Sequence, residues 1–143
     1  MSSIKECPVV YHQTVAWGDM DAFGHVNNVM YYRYIESARI HYMDQIRMMQ
    51  QSFSAVVASN QCKYMRPVFY PDTLKIGVRV EEIRNSAFRM HYILWSEQQQ
   101  AVVASAEAVM VCVNSESMQK MPLPESIRQR ILALENSVGH YLD

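Results

Sequence analysis

Trp17-Gly18-Asp19-Met20-Asp21-Ala22-Phe23-Gly24-His25-Val26-Asn27-Asn28 closes a strand-like run and opens a long helical pattern. Two carboxylates and a histidine fall within it, beside Gly24, a residue type that permits tight backbone geometry. The helix that follows begins with N–H groups that have no partner inside the helix and that can hold developing negative charge. Such an assembly suits acyl chemistry.

On the N-terminal side, Val9 to Trp17 reads as a strand with Val9, Tyr11, Val15 and Trp17 on one face and His12 and Thr14 on the other. On the C-terminal side, no Pro or Gly interrupts Asn28 to Met49, and Tyr31, Ile35, Ala38, Tyr42 and Ile46 recur at spacings of three and four. That pattern predicts an amphipathic helix capped by Asn27 or Asn28. About 20 residues of helix span roughly 30 Å, the width of a small domain, so this helix is expected at the centre of the structure.

A helix of that length needs a sheet to cover. Phe53 to Val68, Thr73 to Ile83, Phe88 to Ser96 and Ala101 to Asn114 are rich in Val, Ile, Tyr and Phe and read as strands. Tyr70-Pro71-Asp72, Arg84-Asn85-Ser86 and the polar Glu97-Gln98-Gln99-Gln100 run have turn composition, which predicts antiparallel pairing of successive strands. Leu74, Ile76, Val78 and Val80 alternate with Lys75, Gly77, Arg79 and Glu81, as in a strand with one wet face. Ala101 to Val113 instead carries apolar residues on both alternations, so both faces are expected to be covered, one of them by another subunit. Pro122-Leu123-Pro124-Glu125 opens a short helix to about Leu134, expected to be peripheral.

The chain has 143 residues, 50% of them apolar, enough for one domain over residues 1–143 with a genuine core. A net charge of -1 gives no basic footprint for nucleic acid. The three cysteines, Cys7, Cys62 and Cys112, form neither a metal spacing nor a disulfide framework, which points to reduced thiols and a cytoplasmic setting. The start, Met1-Ser2-Ser3-Ile4-Lys5-Glu6, lacks a signal-peptide core, and no apolar run has membrane-spanning length. His12, His25, His41, His91 and His140 are dispersed, and no phosphate-binding glycine loop occurs, so neither a metal nor another cofactor is expected.

The order of strand, loop, long helix and four antiparallel strands resembles the α+β hot-dog fold, an antiparallel curved sheet wrapped around one long central helix. The loop is more specific. Asp19 to Asn28, followed by Tyr31, Tyr34, Glu36, Ala38 and Arg39, resembles the acyl-CoA thioesterases related to 4-hydroxybenzoyl-CoA thioesterase, as does Pro67-Val68-Phe69-Tyr70-Pro71-Asp72 downstream. The resemblance implies that Asp21, the second aspartate of the D-x-D pair, is the catalytic carboxylate. It also implies that a backbone amide near Asn28 polarises the thioester carbonyl. The Gly24-His25-Val26-Asn27-Asn28 version is similar to members that act on fatty acyl thioesters, whereas the benzoyl-CoA branch lacks it.

The residues fit that chemistry. Thioester hydrolysis needs a base to deprotonate water or a nucleophile to form an acyl intermediate, and Asp21 can be either; an Asx turn is its structural alternative. A thiolate leaves readily, so one carboxylate and an oxyanion-stabilising N–H suffice. Asp19 is read as a hydrogen-bonding support of the loop. His25 either orients water or is satisfied by neighbouring backbone. Asn27 is a helix cap beside the substrate, and Tyr31, with Tyr34, Tyr42, Met30 and Met43, either lines an acyl pocket or is plain core. Glu36 and Arg39 are spaced to pair on the helix. Arg84 and Ser86, at a turn, are the candidates for coenzyme A phosphate contacts.

The expected partners are acyl-CoA or an acyl group on a carrier protein, and a second copy in a homodimer or homotetramer. A hydratase or dehydratase pairing Asp21 with His25 is the enzymatic rival, and a non-catalytic acyl-CoA-binding module on the same scaffold is the rival of another class.

Overall fold

A computed structural model describes residues 3–49 and 51–142; Met1 and Ser2, part of the N-terminal segment read above, lie outside it, as do Gln50 and Asp143. The elements are β1 (Val9–Thr14), α1 (Asn28–Gln45), β2 (Phe53–Tyr64), β3 (Thr73–Ile83), β4 (Ala87–Ser96), β5 (Ala101–Asn114) and α2 (Glu125–Asn136), with single 3-10 turns at Ile4–Glu6 and Trp17–Asp19. The strands form one sheet in the order β1-β3-β4-β5-β2, and every neighbouring pair is antiparallel.

This order explains the long helix. The two strands that flank α1 in sequence, β1 and β2, are the two edges of the sheet. Four antiparallel pairings make β1 and β2 parallel to each other, so the chain must return along the strand direction between them, and the 18 residues of α1, at about 1.5 Å each, carry it back. The face that α1 turns to the sheet carries Tyr31, Tyr34, Ile35, Ala38 and Tyr42, all essentially without solvent contact. They pack with Leu74, Ile76, Val78 and Val80 of β3, Phe88, Met90, Tyr92 and Leu94 of β4, and Ala104, Ala106, Ala108 and Met110 of β5. The alanine run on β5 leaves room for the large aromatic rings of the helix.

The predicted apolar periodicity of α1 and the wet and dry faces of β3 match the structure, with one exception at Gly77. That glycine is buried under the N-terminal segment, where an added Cβ would lie 2.8 Å from the Cys7 sulfur and 2.9 Å from Ile4.

The outer face of β5, expected to be covered by another subunit, is half-buried within the single chain at Ser105, Glu107, Val109 and Val111. Three expectations need correction. β1 ends at Thr14, and Trp17 turns outward because Ala16-Asp19 closes a 3-10 turn, with Asp19 N–H donating to the Ala16 carbonyl at 3.0 Å. β2 stops at Tyr64 rather than Val68: the Met65 and Arg66 N–H groups both donate to the Val103 carbonyl, and Pro67 has no N–H with which to continue. Finally, α2 is not peripheral, since Ile127, Ile131 and Glu135 are fully buried. Glu135 accepts from Tyr42 Oη at 2.6 Å, from Val80 N–H at 3.0 Å and lies 2.7 Å from His140 Nδ1. One carboxylate thereby joins α1, β3 and the C-terminal segment. Among the described residues no helix is long and apolar enough to cross a membrane.

Candidate active site

The loop between β1 and α1 is closed by its own backbone. Asn27 N–H donates to the Asp19 carbonyl at 3.0 Å and Asp21 N–H to the His25 carbonyl at 2.8 Å, while Met20 and Val26 form an antiparallel bridge. Gly24 adopts φ 87, a left-handed conformation that costs other residue types about 1 kcal/mol or more. Val26 N–H then donates to the Val68 carbonyl at 2.8 Å, tying the loop to the segment after β2.

Within this frame Asp21 is held by one oxygen. Oδ1 accepts from Phe23 N–H at 2.9 Å, the Asx turn raised above as its structural alternative, while Oδ2 faces His25 Nδ1 at 3.6 Å. The turn and a chemical role are therefore compatible, because they use different oxygens. The His25 ring stacks on Phe23 and meets Phe69 edge-on, with centroids 6.3 and 6.1 Å away. Asp19 is structural in its contacts: Oδ2 accepts from Tyr34 Oη at 2.5 Å and from Ala16 N–H at 3.3 Å.

The start of α1 is partly occupied. Asn27 is the N-cap, and its Oδ1 accepts from Val29 N–H at 3.0 Å while its carbonyl accepts from Met30 N–H at 2.9 Å. The first helical N–H, that of Asn28, has no intrahelical acceptor by its position, so the donors expected beyond the cap narrow to this one. The Asn28 carbonyl accepts from Tyr64 Oη at 3.1 Å, and the Tyr64 ring meets Tyr31 edge-on at 4.8 Å. Burial pushes the phenols of Tyr31 and Tyr64 up to about 12, so both remain proton donors across the physiological range. Tyr31 is 2% exposed and belongs to the core wall rather than to open surface.

Arg84 and Ser86 are not brought to this loop. They lie at the β3–β4 turn, whereas Asp21 follows the Thr14 end of β1, which pairs with Thr73 at the other end of β3. Eleven residues of β3 separate these ends by roughly 35 Å. Arg84 is engaged by Glu82 at 2.8 Å, and Ser86 is buried.

Sequence reading passed over three features: the Tyr34 to Asp19 bond, Tyr64 above the start of α1, and Asp72. Asp72 accepts from Ser96 Oγ, Thr73 N–H and Gln98 N–H, at 2.5, 2.8 and 3.1 Å. These contacts pin the Phe69–Asp72 turn beside His25. Apart from the bond to the adjacent Thr73, each joins residues far apart in sequence, and only the turn composition around Asp72 signals anything. Among the described residues no three or more His, Cys, Asp or Glu side chains group as a metal site.

The sheet packed on a long helix recurs in known proteins. The model of the thioesterase-like superfamily matches residues 15–131. The chain belongs to that superfamily. Relatives include the uncharacterized protein YsmA of Bacillus subtilis (strain 168), 31% identical over 83% of this chain and 82% of its own length. The long-chain acyl-CoA thioesterase FadM of Escherichia coli (strain K12) is 24% identical over 78% of this chain and 88% of its own length. A Thermus thermophilus thioesterase solved with coenzyme A and zinc superposes with a TM-score of 0.81 at 35% identity, covering 92% of this chain and 97% of that one. The fold is accordingly the hot-dog fold, and membership places the chain among thioester hydrolases.

Proposed function

We propose that this chain is an acyl-CoA thioesterase that hydrolyses a fatty acyl thioester to free acid and thiol. The observation that supports the reading most is the split use of Asp21: Oδ1 is locked by Phe23 N–H while Oδ2 stays beside His25, next to a helix start whose second and third N–H groups are already taken. Asp21 activates water or attacks the carbonyl carbon, and the Asn28 N–H receives the negative charge that develops on the thioester oxygen. The thiolate leaves without a general acid. FadM, a long-chain acyl-CoA thioesterase, supports the fatty acyl class, and the Thermus complex supports coenzyme A as the carrier.

The proposal includes one hot-dog domain, a cytoplasmic protein with reduced thiols, and a homodimer or homotetramer. The free edge of β2 and the exposed apolar side chains Trp17, Phe23 and Val29 around the loop support an assembly in which a second copy completes the site.

Thiol release from acyl-CoAs of graded length, by wild type and by Asp21→Asn with folding checked for both, tests the reading. A loss of at least about 100-fold in kcat is expected, and full turnover by a folded variant overturns the role of Asp21. The approach of His25 to Asp21 at 3.6 Å also favours a second reading, hydration of an enoyl thioester. Consumption of enoyl-CoA without thiol release distinguishes it.

A further inference from the structure

Arg39 of α1 is 6% exposed, and its only hydrogen bond among the described residues runs from Nη1 to Tyr92 Oη at 3.1 Å. The helical partner expected for it, Glu36, is instead 3.4 Å from Arg33 on the solvent side. A buried guanidinium has five N–H donors and cannot shed its charge. No buried side-chain nitrogen or oxygen among the described residues lacks a partner; the Arg39 donors that Tyr92 does not use are therefore those that open into adjoining space. That space is a cavity of about 260 Å³ whose lining includes Arg39, Met43, Met48, Ala55, Val57 and Met110. It is a greasy pocket with a cation in its wall and the Glu36 carboxylate, already engaged by Arg33, in its lining.

The cavity and the proposed active site lie at two places along the same helix and strand. The end of β2 meets the start of α1 where Tyr64 bonds Asn28, and the beginning of β2, at Ser54, Ala55 and Val57, meets the second half of α1 at the cavity. Strand and helix run side by side in opposite directions between the two places. From Asn28 to Arg39 is about 16 Å along the helix axis, a distance that an extended acyl chain covers. For an acyl chain bound with its thioester at Asn28 and extended along α1, Arg39 stands at the distance of the far terminus.

We infer that this cavity is the distal acyl subsite and that Arg39 recognises a carboxylate at the far end of the acyl group. The preferred substrate class is then a thioester of a long-chain dicarboxylic acid. The inference rests on the thioesterase reading given above. A terminal methyl leaves the guanidinium donors facing hydrocarbon, whereas a terminal carboxylate takes two of them in a charge-assisted pair.

The test compares dodecanoyl-CoA with its ω-carboxy counterpart, using wild type, Arg39→Met and Arg39→Lys. Wild type is expected to favour the ω-carboxy substrate by roughly tenfold or more in kcat/KM, and Arg39→Met to lose that ratio, with Arg39→Lys in between. Hydrolysis of both substrates without preference in wild type overturns the inference while leaving the thioesterase reading intact. So does a ratio that survives Arg39→Met. If neither thioester is hydrolysed, the thioesterase reading fails, and equilibrium binding of the same two ligands to wild type and Arg39→Lys still decides the subsite: an ω-carboxylate advantage weakened by Lys supports it, equal binding overturns it. Inhibition by free dodecanoate that needs Arg39, with no ω-carboxy preference in turnover, assigns the cavity to a separate acid and also overturns it. Arg39→Lys keeps the test decisive should the methionine variant not fold.

Discussion

The phenol of Tyr34, buried on α1, donates to Asp19 Oδ2 at 2.5 Å, although the carboxylate belongs to the loop before the helix. Burial and the adjacent carboxylate both push the phenol's ionisation upward, so it stays a donor at any working pH. The bond fixes the register of the loop on the helix two residues before Asp21. Tyr34→Phe is expected to cost about 1 to 2 kcal/mol in urea denaturation and to lower thiol release several-fold. Unchanged turnover in a destabilised variant would show that Asp21 is positioned without this contact.

Gly77 is a test of how the N-terminal segment is seated. A Cβ there meets the Cys7 sulfur at 2.8 Å and Ile4 at 2.9 Å. Gly77→Ala is expected to destabilise by roughly 1 to 3 kcal/mol through overpacking. Adding Cys7→Ala should restore part of the loss, as read by the denaturation midpoint of the double variant. Full additivity of the two effects would count against a direct clash.

Glu135 holds three partners at zero exposure. Glu135→Ala strands the Tyr42 hydroxyl and the Val80 N–H and is expected to cost about 3 to 5 kcal/mol. Glu135→Gln, which keeps an acceptor, should cost less. Equal losses would mean that the carboxylate itself, and not a side chain of the same volume with one acceptor oxygen, decides the site.

His91 sits on the outer face of the sheet, in register with Arg79 on β3 and Glu107 on β5, with Glu81 and Arg89 nearby. Burial is the leading cause of its lowered pKa, and Arg79 and Arg89 add to it against the opposing carboxylates. The unfolded chain therefore binds the proton more tightly than the folded one. The stability that neutral His91 allows is present above the ordinary histidine value of about 6.5 and declines as pH falls below it toward the lowered folded value. His91→Gln should flatten the pH dependence of the melting temperature in that window, and an identical slope in the variant would refute the assignment.

Much of this architecture is readable from local pattern. The α1 face from Tyr31 to Tyr42 repeats with helical period, and β3 alternates cleanly, because each buries one face against one large neighbour. The Asp21 loop is legible for a different reason: its carboxylates, glycine, histidine and cap are contiguous. What escapes reading depends on contacts between distant segments. Nothing around Glu135 announces that a charged residue on a C-terminal helix will sit beneath Val80, and the spacing of Glu36 and Arg39 suggests a pair that the fold replaces with Tyr92 and Arg33. The end of β2 and the outward turn of Trp17 are hidden because their apolar residues continue a strand pattern that backbone hydrogen bonding stops.

The register of β2 against β5 slips between Val57 and Ser59. Before the slip, odd-numbered Ala55 and Val57 pair with the inward Cys112 and Met110; after it, even-numbered Cys62 and Tyr64 pair with the inward Ala106 and Ala104. The extra residue thus exchanges the parity of the strand halfway along. That exchange lets one strand present Val57 to the Arg39 cavity and Tyr64 to Asn28 on the same side. Removing Ala58 alone would leave Val57 and Tyr64 an even number of positions apart on an unbulged strand, both still facing in, whereas removing two residues there would leave an odd spacing and turn one of those ends out to solvent.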